Sequence, residues 1–108
     1  MRKVAIVTGG SGNIGSFIAL RLSDKYDVVV TYNKSEHKAD RVLGDLKGSP
    51  MKVEVDLSSV DSIKSMFDEV SQKYGRIDLL VNNASFTKES SVEELEESVI
   101  DRVIDLNI

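Results

Sequence analysis

The sequence predicts an α/β protein whose parallel sheet is covered by helices on both faces, and three observations carry that reading. Four apolar, β-branched runs recur with starts 24 to 26 residues apart: Lys3–Thr8, Asp27–Tyr32, Met51–Val55 and Ile77–Asn82. Segments with helical periodicity fill the intervals between them. The runs are also continuous (VAIV, VVV, LLV) instead of alternating, as happens when neither face of a sheet meets water.

In chain order, KVAIVT is the first strand, and Ile14, Phe17, Ile18 and Leu22 then share one face of a helix. DVVVTY is the second strand, followed by a helix with Ala39, Val42, Leu43 and Leu46 on one face. MKVEV is the third. After it, Val60, Ile63, Met66, Phe67 and Val70 form the cleanest amphipathic stripe in the chain. Ser58-x-x-Asp61 ahead of that stripe reads as a capping box, with Asp in the usual Glu position. IDLLVN is the fourth strand, and Ser91-x-x-Glu94 marks a later helix start. A period near 25 residues would also suit a leucine-rich solenoid, but the leucine pattern that each unit needs is absent. Right-handed crossovers set consecutive strands side by side. A lone proline and the absence of a long polar linker leave no internal domain boundary.

Composition narrows the function classes. At 108 residues the chain supports one domain with a single modest core, and 41% hydrophobic with 30% charged residues is ordinary for a soluble globular protein. No apolar run approaches the roughly 18 residues that span a membrane, and no signal-peptide pattern opens the chain. With no cysteine and a lone His37, disulfides, thiolate metal sites and a metal centre are not expected, and a cytoplasmic location is. The net charge of −4 is unevenly placed, since residues 86–108 hold two basic and seven acidic side chains. That acidic stretch suits a solvated helix face and argues against nucleic acid as a partner.

The segment Thr8–Gly15, TGGSGNIG, places four glycines directly after an apolar strand, at a high cost in conformational entropy. Gly10-x-Gly12-x-x-Gly15 closes a predicted strand and opens a predicted helix, the context that gives this pattern meaning. A tight turn needs a residue without Cβ, a second glycine lets backbone approach a pyrophosphate, and a third lets the helix pack on the sheet. Phosphate would then meet the free N–H groups and positive dipole end of the helix. The architecture this implies is a Rossmann-type doubly wound sheet, binding through Gly9, Gly10, Ser11, Gly12, Asn13, Ile14 and Gly15.

At this turn the sequence resembles the short-chain dehydrogenase/reductases, whose usual fingerprint is Thr-Gly-x-x-x-Gly-x-Gly. Thr8, Gly9 and Gly15 match, and Asn13 stands where the middle glycine is expected; Asn tolerates the left-handed backbone that glycine would supply. The variant Thr-Gly-x-x-Gly-x-x-Gly of the family's extended branch fits Thr8, Gly9, Gly12 and Gly15, so the turn alone does not choose. Three downstream matches favour the classical branch, with members similar to 3-oxoacyl-acyl-carrier-protein reductases. VEVDLSS resembles the segment whose aspartate, here Asp56, hydrogen-bonds the adenine amino group while Leu57 lines the ring. IDLLVNNAS resembles the Asn-Asn-Ala-Gly element, with Ser85 in place of glycine. The resemblance makes Asn82 a brace of the central strands and sets Asn83 and Ala84 beside the adenosine ribose. DRVIDLNI resembles a Val-Ile-Asp-x-Asn segment and would make Asn107 the helix-borne asparagine of the catalytic tetrad.

The resemblance implies a first half-domain of about four strands in the order 3-2-1-4, and a nicotinamide dinucleotide as cofactor. An acid at the end of the second strand holds the ribose hydroxyls of NAD and repels a 2′-phosphate. Here Tyr32 takes that place, followed by Asn33, Lys34 and Ser35, a cation and two small donors that suit a phosphate monoester. Glu36 opposes this, but it stands further along, where the next helix starts. NADP is therefore expected over NAD, with a small carbonyl or alcohol as substrate, no membrane partner, and a homo-oligomeric state.

The family's chemistry also needs a serine and a tyrosine followed four residues later by lysine. Tyr26, Tyr32 and Tyr74 are followed at that distance by Val30, Glu36 and Asp78. The 108 residues thus read as an N-terminal dinucleotide-binding part whose catalytic Ser, Tyr and Lys lie elsewhere and which is inactive alone. Two readings stay open: a hydride-transferring oxidoreductase, or a non-catalytic half-domain that binds a dinucleotide or self-associates. The fourth strand is expected to be an unpaired edge, and the segment holding Val103, Ile104, Leu106 and Ile108 to be helical.

Overall fold

The computed structural model describes residues 2–83 in full and 103–105 as backbone. Its elements are β1 (Lys3–Thr8), α1 (Asn13–Leu22), β2 (Tyr26–Tyr32), α2 (Glu36–Leu43), β3 (Met51–Glu54), α3 (Val60–Tyr74), β4 (Leu79–Asn82) and β5 (Val103–Asp105). They form one sheet in the order β3-β2-β1-β4-β5. The first four strands are parallel, with Ile6 opposite Val29 on one side and Leu80 on the other. This is the Rossmann-type order expected from the sequence.

Burial on both faces accounts for the continuous apolar runs: Val4–Val7 and Val28–Val30 are at most 1% exposed. Side chains alternate along β1. Val4 and Ile6 join Met66 and Val70 of α3 on one face, while Val7 joins Ala19 of α1 and Ala39 of α2 on the other. The sheet therefore carries α3 on one face and α1 with α2 on its opposite face, and the switch between faces falls where β4 is placed beside β1.

The helices depart from the sequence reading in detail. Ser59, not Ser58, caps α3, its hydroxyl accepting the Ser62 N–H at 3.2 Å. Ser58 turns the other way and donates both N–H and O–H to Asp56 Oδ1. Val60 is 67% exposed, because it stands at the first turn beyond the sheet's cover; Ile63 and Phe67 pack half-buried against the core. On α1 the buried positions are Gly15 and Ala19, flanked by Ile18 and Leu22, and Ile14 and Phe17 face outward. The small pair brings the helix close to the sheet and rotates the larger residues out, where the Arg21 guanidinium lies over the Phe17 ring, 5.6 Å from its centroid.

The tail differs most. Val103–Asp105, expected to be helical, is β5, antiparallel to β4 with Ile104 opposite Leu80. β4 is therefore not an unpaired edge: its outer N–H and C=O groups meet a strand whose Val-Ile sequence favours extended backbone. Leu106, Ile108 and the Ser91-x-x-Glu94 box lie outside the described residues.

Candidate functional site

The chain leaves β1 through Gly9, whose φ of 66° is a left-handed conformation that glycine adopts freely. Its N–H donates to Thr31 Oγ1 at 3.0 Å, and its carbonyl accepts the Gly12 N–H at 3.1 Å. Gly10 is pressed against β2, where a Cβ would lie 2.7 Å from Val30 Cγ1. At Gly15 a Cβ would lie 2.1 Å from the Gly9 carbonyl oxygen and 2.6 Å from Asn83 Nδ2. Gly12 serves as the N-cap of α1 and brings no side-chain acceptor to the first-turn N–H groups. The glycines thus make a turn so tight that the start of α1 folds back onto Gly9 with its amides exposed.

The turn is tied to β4 from below. The Thr8 hydroxyl accepts the Asn83 N–H at 2.8 Å and faces both the Val81 carbonyl and Asn82 Oδ1 at 3.2 Å. Asn83 Nδ2 reaches the Gly9 carbonyl at 3.4 Å, while the buried Asn83 Oδ1 has no hydrogen-bond partner among the described residues. Asn82 meets the Thr8 hydroxyl through its Oδ1, across the β1–β4 pair.

A cleft of about 480 Å³ opens across the C-terminal ends of β1 to β4, the position at which doubly wound sheets bind ligands. Gly9, Ser11 and Gly12 form its floor, Tyr32, Asn33 and Ser35 one wall, and Asp56, Leu57 and Asn83 the remainder. All nine stand among the residues singled out in the sequence. Gly10, Asn13, Ile14, Gly15, Lys34 and Asn82 lie outside the lining; Gly10, Gly15 and Asn82 shape the turn from behind. Lys34 is exposed, and the lysine that lines the wall is Lys38 instead. Ala84 and Asn107 fall outside the described residues.

Lys38, Thr31, Val55 and Ser58 complete the lining and were not named as site residues from the sequence, where Ser58 was read only as a helix cap. The signal for Lys38 lies in its spacing: Ser35 caps α2, so a residue three positions on returns to the cap's side of the helix. Thr31 precedes Tyr32 at the end of β2, Val55 stands between β3 and Asp56, and neither carries a chemical signature of its own. Two charges along the cleft are conditioned locally. The Ser58 hydroxyl, and then its N–H, hold the Asp56 carboxyl below the usual carboxylate range. Partial burial, and then the bond to Glu36, push the Tyr32 phenol up. Among the described residues no group of His, Cys, Asp or Glu is arranged to hold a metal, and no helix is long and apolar enough to cross a membrane.

Residues 3–108 match the short chain dehydrogenase family. The chain belongs to that family. It is 38% identical over its whole length to the 3-oxoacyl-acyl-carrier-protein reductase of Staphylococcus epidermidis, covering 46% of that protein. It is also 36% identical, over 98% of its length, to a 3beta-hydroxysteroid dehydrogenase of Mediterraneibacter gnavus, covering 40% of it. Among solved structures it resembles acetoin dehydrogenase from Enterobacter cloacae, with a TM-score of 0.73 and 29% identity over 87% of this chain and 39% of that one. The chain thus spans under half the length of these relatives.

Proposed function

We propose that this chain is the dinucleotide-binding part of a short-chain dehydrogenase that interconverts a carbonyl and an alcohol, with NADP(H) preferred over NAD(H). The observation that carries the reading is the convergence of the uncapped start of α1 with the orphaned Asn83 Oδ1 on one cleft. Amides at a helix N-terminus bind phosphate, and a buried carbonyl oxygen without a donor is suited to a ribose hydroxyl. The bare backbone at Gly12, where a Cβ would meet only the Gly9 carbonyl at 3.5 Å, suits a pyrophosphate lying close to it, while Gly15 packs the start of α1 onto Gly9.

In this reading Gly9, Ser11, Gly12, Asn13, Ile14 and Gly15 cradle the pyrophosphate, with Gly10 holding the turn on β2. Asp56 accepts from the adenine amino group, its carboxyl held below the usual range by Ser58. Leu57 covers the ring, and Asn83 with Ala84 flanks the ribose. Tyr32, Asn33 and Ser35 surround the 2′ position, with cationic charge supplied by Lys38 and, from the loop, Lys34. When bound, the nicotinamide supplies or accepts the hydride. Asn107 is carried as a catalytic-tetrad residue by the sequence resemblance, and the protein as cytoplasmic and homo-oligomeric.

Neither the serine nor the Tyr-x-x-x-Lys pair of the family's chemistry is assigned to these 108 residues. That observation favours a second reading, in which this chain binds the dinucleotide, or assembles with other chains, without itself doing chemistry. Calorimetric titration with ADP-ribose and 2′-phospho-ADP-ribose tests the binding that both share, since every adenosine contact proposed here lies in this chain. Micromolar binding of the phosphorylated probe is expected; no binding of either overturns the reading.

A further inference from the structure

Glu36 poses a problem for phosphate at the 2′ position. It stands between Ser35 and Lys38, both of which line the cleft, and a free carboxylate there would repel a phosphate monoester. The carboxylate is not free. Its Oε2 accepts from the Tyr32 hydroxyl at 3.1 Å and lies 3.1 Å from Lys52 Nζ of β3. Lys52 also pairs with Asp40, four residues on from Glu36 and so on the same face of α2. Lys38 is two residues from Glu36, about 200° around the helix, and lines the cleft, whereas Glu36, Asp40 and Lys52 do not. Helix α2 is thereby sorted by charge, with both carboxylates turned to the β3 lysine and a cation turned to the cleft.

We propose that Lys52 is a specificity-determining positioning residue: by holding Glu36 and Asp40 against β3, it keeps the wall of Asn33, Ser35 and Lys38 clear of carboxylate and so sets the preference for a 2′-phosphorylated adenosine. This rests on the dinucleotide reading above. Lys52 touches no ligand and acts through Glu36. Its hydrogen bonds to Asp40 and then Glu36 raise its pKa, so the clamp stays charged wherever the protein is folded near neutral pH.

The test uses the 108-residue chain, with ADP-ribose and 2′-phospho-ADP-ribose as probes, in calorimetry at low ionic strength. Lys52→Met removes the cation that pairs both carboxylates, leaving Glu36 only its bond from Tyr32, and should weaken the phosphorylated probe about tenfold while moving ADP-ribose less than about twofold, because only the former carries the repelled charge. Lys52→Arg should retain the wild-type ratio. Lys52→Met combined with Glu36→Gln should recover most of it, since the released side chain is then neutral. Equal weakening of both probes in Lys52→Met, or an unchanged ratio, overturns the role of Lys52 and leaves the dinucleotide reading standing. Failure of the wild-type chain to bind either probe overturns both.

Discussion

The Asp78 carboxylate accepts the backbone N–H of Val4 at 2.8 Å, joining the entrance of β4 to the start of β1 across 74 positions of sequence. The Asp78 N–H donates in turn to the Val4 carbonyl at 2.9 Å, so a side chain and a main chain together extend the ladder below Leu79. Arg76 closes the arrangement with two bonds to the same carboxylate, at 2.7 and 2.6 Å. Asp78 is 4% exposed, and its charge is accommodated there because three donors meet it. The contact anchors the N-terminal end of the β1–β4 pair, while the Thr8 hydroxyl and Asn83 hold its cleft end.

Asp78→Ala should therefore be costly. It strands the buried Val4 N–H, for a loss of about 1–3 kcal/mol from the unpaired donor, and removes a carboxylate that Arg76 bonds. Asp78→Asn keeps an oxygen for Val4 and should lose less. Urea unfolding followed by circular dichroism would check the order; equal stability of Asp78→Ala and wild type would refute it.

The same carboxylate makes stability depend on acid. The hydrogen bonds of Arg76, and then the Val4 N–H, hold its pKa below the ordinary value. A depressed carboxyl contributes fully above the unfolded-state pKa near 4 and loses that contribution as pH falls through the folded value. The stability gap between wild type and Asp78→Asn should stay level above about pH 5 and narrow below about pH 4. A gap that widened on acidification would contradict the assignment.

At the glycine turn, two substitutions of equal size should have unequal effects. Gly15→Ala places a methyl 2.1 Å from the Gly9 carbonyl oxygen, a backbone atom that cannot swing aside, and should cost a few kcal/mol and abolish ADP-ribose binding. At Gly12 a Cβ meets only the Gly9 carbonyl, at 3.5 Å, and φ is −79°. Gly12→Ala should fold as wild type, so that any weakening it shows reports contact with ligand. Thermal melts with parallel titrations separate the two; a Gly15→Ala variant that melts with wild type would show the turn to be looser than described.

Selectivity should respond at Tyr32. Tyr32→Asp puts a carboxylate where ribose hydroxyls would bind, and also removes the hydroxyl that holds Glu36. Both effects disfavour a 2′-phosphate, and the ratio of 2′-phospho-ADP-ribose to ADP-ribose affinity should fall by about tenfold or more. An unmoved ratio would take the end of β2 out of the selectivity argument.

The positions of β1 to β4 and most of the cleft were legible because they depend on short-range patterns, while the order 3-2-1-4 followed from the family resemblance. Apolar runs at regular spacing settle β1 to β4, and a ligand cleft at strand ends follows from the residues just past a strand, as Gly9 and Asn83 are directly and Asp56 is one residue on. What the sequence reading missed depends on helix phase and on distant pairing. Lys38 reaches the cleft through helix phase, three positions on from Ser35 at the start of α2, whereas the sequence reading named Lys34 in the preceding loop. The Ser58 cap slipped by one residue because Asp56 competes for the Ser58 hydroxyl and N–H. Asp78, read as an ordinary strand residue, gains its role only from Val4. For the tail, an apolar VID segment serves a helix face or a sheet edge equally well, and the open side of β4 decided it.

That last pairing predicts how the chain behaves in solution. β4 is central only while β5 covers it; uncovered, its N–H and C=O groups from Leu79 to Val81 would form a free apolar edge able to recruit another chain. Ile104 is the middle residue of β5, and Ile104→Pro removes its N–H and fixes its φ at a value unsuited to the ladder. Hydrogen exchange at the β4 amides should accelerate in the variant, and sedimentation at micromolar concentration should show more self-association than in wild type. β1 to β3 should keep their protection, since their pairing does not pass through β5. If the variant matched wild type in both exchange and sedimentation, β5 would not be what protects the β4 edge.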